Sequence, residues 1–144
     1  FVASFIGEPP MNILRAKINK SNNTLKFEIL NEKNEKTFSI NFSNESIQKE
    51  NLNKLANDQL ITLGIRPHKI FFNQKDSNFD GKASSSSYHW LGDQVHIGIE
   101  INGSSIIGVA DRNFEPSSDV KLNFPLESIN IFNLETEEVI LNGL

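Results

Sequence analysis

The stretch Val95-His-Ile-Gly-Ile-Glu-Ile101, followed by Asn102-Gly103 and the return segment Ser105 to Ala110, decides how the chain is read. Val95, Ile97, Ile99 and Ile101 alternate strictly with other residues, which is the period of a strand with one buried face. Asn-Gly is the dipeptide preferred where both central residues of a tight hairpin need positive φ. A strand, a two-residue turn and a returning strand are therefore expected here.

The same period recurs on either side. Leu25, Phe27 and Ile29 alternate with Lys26 and Glu28 in Thr24 to Leu30, and Phe38, Ile40 and Phe42 alternate in Thr37 to Phe42. With the shorter, mixed Met11 to Ile18 they read as an antiparallel meander. Leu60 to Ile65 is a strand halted at Gly64-Ile65-Arg66-Pro67, and Ile70 to Phe72 adds a few extended residues. Val120, Leu122 and Phe124 form another strand, Ser128 to Phe132 another, and Val139 to Leu141 the last. Ser46 to Asp58 has roughly helical spacing at Ile47, Leu52, Leu55 and Ala56. It reads as a short helix or helical loop, with Ser46 as a cap but no capping box. Gln74 to Ser87 is polar, with Gly81 and four consecutive serines, and reads as a mobile loop. About nine short strands at this spacing, without long helical segments between them, point to an all-β barrel or sandwich.

Composition narrows the function classes. A chain of 144 residues can bury roughly 68–70% of the surface its unfolded form exposes, so it needs no staples. It has no cysteine, which removes disulfides and thiolate zinc sites and fits a reducing compartment. The net charge is −4 and Arg occurs only at Arg15, Arg66 and Arg112, so nucleic acid, which needs clustered cations, is not expected as a partner. Lys far outnumbers Arg, and Asn and Ile abound; this reads as a compositional bias rather than as function. No apolar run approaches the roughly 20 residues of a spanning helix.

The search for chemistry returns little. No phosphate-binding loop, G-x-S-x-G or H-E-x-x-H pattern occurs. His68, His89 and His96 lack ligand spacing and read as surface or turn residues. Asp76-Ser-Asn78-Phe-Asp80-Gly81 matches half of a calcium loop, but Ser87 stands where a bidentate Glu belongs, so a solvated turn is the better reading. Tyr88, Trp90, Phe71 and Phe72 would suit base stacking, yet without a basic groove they read as core or interface packing. No catalytic, cofactor-binding or metal-binding residue is assigned.

Four islands carry a family resemblance. Phe1-Val-Ala-Ser-Phe-Ile-Gly7 precedes Pro10-Met11-Asn12. Leu63-Gly64-Ile65-Arg66-Pro67 follows, then Leu91-Gly92 leading into Val95 to Ile101. Last come Val120-Lys-Leu-Asn-Phe124, Ile129-Asn-Ile-Phe132 and Glu135-Thr136. In this order and spacing they resemble the C-terminal region of ATP-binding subunits of ABC importers for maltose, other sugars and glycerol phosphate. The family's Leu-Gly-Ile/Val-Arg-Pro-Glu-His becomes His68-Lys69 after Arg-Pro here. Tyr88-His89-Trp90 replaces an acidic-Pro approach to Leu91-Gly92, and Asn133 replaces an Asp.

The resemblance implies an OB-like β-barrel of the transport-associated OB (TOBE) type with one or two short helices. It implies that Phe1 to Asn12, whose apolar start is stopped by Gly7 and Pro9-Pro10, is the end of a linker helix from an ATPase domain. Residues 13–144 would then be a regulatory and dimerisation domain. ATP and magnesium would belong to that ATPase domain, with no cofactor in this region. Partners would be a second copy, the ATPase domain, the transporter's membrane subunits and, in some members, a regulatory protein, at the cytoplasmic face of the bacterial membrane. Arg66, Pro67, Leu91, Gly92 and Phe132 are the candidate regulatory or interface residues. A small-oxyanion module of the same type, with Ser84 to Ser87 as its candidate, and a nucleic-acid-binding OB domain are the rival readings.

Overall fold

The computed structural model describes residues 10–72, 77–114 and 120–144. The expected linker helix falls almost wholly on residues 1–9, and Asp76 of the calcium-like turn also lies outside the described residues.

Twelve strands, one five-residue helix and three short 3-10 turns make up the described chain. The strands are β1 (Asn12–Lys20), β2 (Thr24–Leu30), β3 (Lys36–Ser43), β4 (Leu60–Ile65), β5 (Phe71–Phe72) and β6 (Phe79–Asp80), then β7 (Ala83–Leu91), β8 (Gln94–Ile101), β9 (Ser104–Asp111), β10 (Leu122–Asn123), β11 (Asn130–Asn133) and β12 (Val139–Asn142). The helix is α1 (Lys49–Asn53). A seven-stranded antiparallel sheet has the order β12-β11-β4-β1-β2-β3-β6, a three-stranded one the order β7-β8-β9, and β10 pairs with β5.

The period-two segments behave as their spacing demands. Leu25, Phe27 and Ile29 on β2 and Val95, Ile97, Ile99 and Ile101 on β8 are all fully buried, and they join one continuous apolar core with the inward residues of β1, β3 and β4. Asn102 (φ 49°) and Gly103 (φ 95°) form the expected turn between β8 and β9. Gly92 (φ 64°) opens the equally short turn between β7 and β8.

Three expectations need correction. Ser84 to Ser87 is not loop. It lies inside β7, paired to β8 with a bulge between Ser85 and Ser87, because the backbone of Gly98, Ile99 and Glu100 offers a ladder that a polar strand can join. Ser46 does not cap a helix: its hydroxyl donates to Ser43 O (2.6 Å) and Gln48 precedes α1 without a side-chain cap. Lys20 Nζ instead ties down the end of that segment, donating to Leu52 O (3.2 Å) and Leu55 O (2.9 Å), where the partial negative charge of a helix C-terminus favours a cation. Finally, Val120 forms only an isolated bridge to Ala83, and the strand proper is Leu122–Asn123.

The abundance of asparagine also acquires a structural role. Asn12 Oδ1 accepts from Ile107 N–H (2.8 Å) while its Nδ2 donates to Ile107 O (2.9 Å) and Ile65 O (3.1 Å). Asn78 clasps Phe124 the same way, accepting from its N–H (2.9 Å) and donating to its carbonyl (2.7 Å). In each case a side-chain amide supplies the donor and acceptor that a neighbouring strand would otherwise provide, and at the buried Phe124 the backbone groups require such partners. Asn102 Nδ2 adds a bond to Thr37 O (2.6 Å) between the two larger sheets.

Candidate functional site

On the outer face of the seven-stranded sheet, strand pairing lines up residues from four strands. Arg15 of β1 stands opposite Thr62 of β4, Thr62 opposite Phe132 of β11, and Phe132 opposite Val139 of β12. One rung away Ile13 is opposite Gly64, and Gly64 opposite Asn130; on the other side Lys17 is opposite Leu60. Residues directly opposite share a face of the sheet. Ile13 is 62% exposed, Leu60 42% and Val139 52%, and Met11 and Phe132 are half-buried among them. The result is an apolar patch of Met11, Ile13, Phe132 and Val139, interrupted by Arg15 and Thr62, with Lys17 and Leu60 beyond them, on strands whose inner face is already committed to the core.

Gly64 is what lets this surface lie flat. A Cβ there would overlap Met11 Sδ and sit 2.8 Å from Phe132 Cε2. Gly64→Ala is expected to cost no more than about 1 kcal/mol, because the half-buried Met11 side chain can swing aside and alanine is otherwise better than glycine within a strand. In denaturant unfolding the midpoint should fall with an unchanged slope.

The sequence-derived candidates are placed separately. Phe132 belongs to the surface just described. Arg66 is exposed and starts the 3-10 turn Pro67–Lys69, its carbonyl accepting from Lys69 N–H (2.9 Å). Its side chain makes no ion pair among the described residues. Pro67 is buried at the first position of that turn, where a missing N–H costs nothing. Leu91, 38% exposed, ends β7. Gly92 has no heavy atom within 4 Å of the position a Cβ would take, so its positive φ, not a close approach, calls for glycine. Ile13, Leu60 and Val139 were missed because each sits at or near a strand end, where alternation gives no sign of which face is covered.

The other candidates resolve into structure. Asn78 of the calcium-like turn spends both side-chain atoms on Phe124, and Asp80 accepts from Asn41 Nδ2 (3.0 Å) while pairing in β6. Phe72 and Tyr88 pack on Phe114, with ring centroids 5.2 and 6.3 Å away. Phe71 and Trp90 remain 46% and 50% exposed, so core packing does not account for them. In the serine run, the Ser85 and Tyr88 hydroxyls bond each other and Ser86 Oγ donates to Gly98 O (3.2 Å). Among the described residues no cluster of three or more His, Asp or Glu is placed to hold a metal, and no helix is long and apolar enough to cross a membrane.

No family model matches the sequence, and neither does any curated protein. Among solved structures the chain is similar to the cytoplasmic molybdate-binding protein ModG in its molybdate-bound form. The TM-score is 0.54 at 9% identity, over 83% of this chain and 94% of that one. At such identity the likeness is one of fold. It agrees with the many short antiparallel strands: this is an all-β protein of OB-like build.

Proposed function

We propose that the chain is a non-catalytic regulatory and dimerisation module of the TOBE type, serving the ATP-binding subunit of an ABC importer for sugars or related solutes. It would work by holding two such subunits together at the cytoplasmic face of the membrane while their ATPase domains open and close. The observation that carries this reading is the exposed apolar surface around Phe132 and Val139. Two of the islands on which the resemblance rests meet there, Leu63-Gly64-Ile65 on β4 and Ile131-Phe132 on β11. A sheet whose second face is apolar is normally covered by something, and a second copy is the partner the resemblance implies. Sedimentation of the purified chain over a wide concentration range tests it: a reversible monomer–dimer equilibrium is expected, and a monomer at every concentration contradicts it.

A second reading has its own observation. ModG binds molybdate, and its likeness in fold gives a small-oxyanion module a structural support that the importer reading does not have. Such a site needs convergent N–H and hydroxyl donors, and Ser84 to Ser87 remain its candidate. Calorimetry with molybdate, tungstate and sulfate separates the two readings. Our first reading predicts no heat of binding; micromolar binding of molybdate or tungstate, weakened by Ser87→Ala, would replace it with the second.

A further inference from the structure

We propose that His89 and His96 form a two-imidazole site for a divalent transition-metal ion on the outer face of the three-stranded sheet. The proposal is independent of the importer and oxyanion readings. His89 of β7 is directly opposite His96 of β8 in the ladder. Because opposed residues share a face, their Cβ atoms lie about 4.5–5.5 Å apart, a separation two imidazoles can bridge through one ion. The alternation of β8 fixes which face this is. Val95 and Ile97, the neighbours of His96, are fully buried on the inner side, so His96 points outward.

The rings differ in a way that suits a ligand pair. His89 is exposed and free to turn. His96 is half-buried, and its Nε2 is shut off from solvent without any hydrogen-bond partner. A buried ring nitrogen left unpaired is costly and uncommon, and a metal ion would take up its lone pair. The surroundings allow this. Val109 of β9 flanks His96 on the other side, and the next rung carries Gln94 opposite Asp111. Asp111 uses Oδ1 to accept from Asn113 N–H (2.9 Å), holding the turn, while its charge favours a cation nearby. Imidazole ligands suit copper, zinc and nickel rather than magnesium or calcium, and affinity should follow the order that places Cu²⁺ first. His96 Nε2 has no solvent contact in the metal-free chain, so the site must open on its exposed His89 side for an ion to enter, after which the positions not taken by the two imidazoles fall to water.

The test is calorimetric titration of the intact chain with Cu²⁺, Zn²⁺, Ni²⁺ and Mg²⁺, with imidazole NMR signals followed in parallel. One transition-metal ion per chain is expected, with shifts at His89 and His96, no response to Mg²⁺, and at least tenfold weaker binding in His89→Gln. His89 is exposed, so that variant should fold. His68→Gln, on the 3-10 turn Pro67–Lys69 rather than on β7 or β8, should bind like the parent chain. Absence of binding tighter than millimolar, binding unaffected by His89→Gln, or equal loss in His68→Gln would each overturn the proposal.

Discussion

Phe124→Ala is expected to lower the folding free energy by about 3–5 kcal/mol, the cost of deleting a large buried ring where the cavity cannot close. Phe124 is fully buried. Its ring meets Phe79 edge-on at 6.4 Å, and Phe79 meets Phe38 in the same way at 6.5 Å. Collapse is blocked from both sides. The backbone of Phe124 is clasped by Asn78, and Phe79 is held by pairing of β6 with β3. A thermal melt should register a drop on the order of 10 °C for a domain of this size. A shift of only a degree or two would mean that the segment 122–124 packs loosely.

The second large effect concerns association rather than folding. Val139→Asp is expected to weaken self-association at least tenfold, equivalent to about 1.4 kcal/mol, because a carboxylate placed in an apolar contact loses its hydration without gaining a partner. In the free chain Val139 is 52% exposed, so the same substitution should change stability by less than about 1 kcal/mol, within the range of strand preferences. This separation is why Val139 is a better probe than Phe132. Phe132 is half-buried and covers Gly64, so truncating it disturbs the sheet as well as the surface.

Much of the fold was legible because period-two alternation is a local signal. β2, β3, β4 and β8 fall where their buried residues predict, and Asn102-Gly103 marks its turn through the positive φ it must adopt. Three features were not legible. Ser84 to Ser87 joins a sheet because β8 offers it a ladder, a tertiary cause that overrides low strand preference. The asparagine clasps span 95 residues in the case of Asn12 and Ile107 and 46 for Asn78 and Phe124, and no spacing rule reaches so far. The surface around Phe132 is assembled from strand ends whose neighbours are fixed only by the sheet order β12-β11-β4-β1. Of the five residues singled out from the sequence, Phe132 alone has its side chain on that surface. Pro67 and Gly92 mark turns whose geometry explains their residue types, while Arg66 and Leu91 stand exposed beside them.

The most direct measurement is sedimentation equilibrium of the parent chain and of Val139→Asp side by side, with circular dichroism confirming that both are folded. A reversible dimer in the parent chain that dissociates at least tenfold more readily in the variant is the predicted result. A parent chain that stays monomeric, or a dimer indifferent to a carboxylate at position 139, would contradict the assignment of this surface to a second copy.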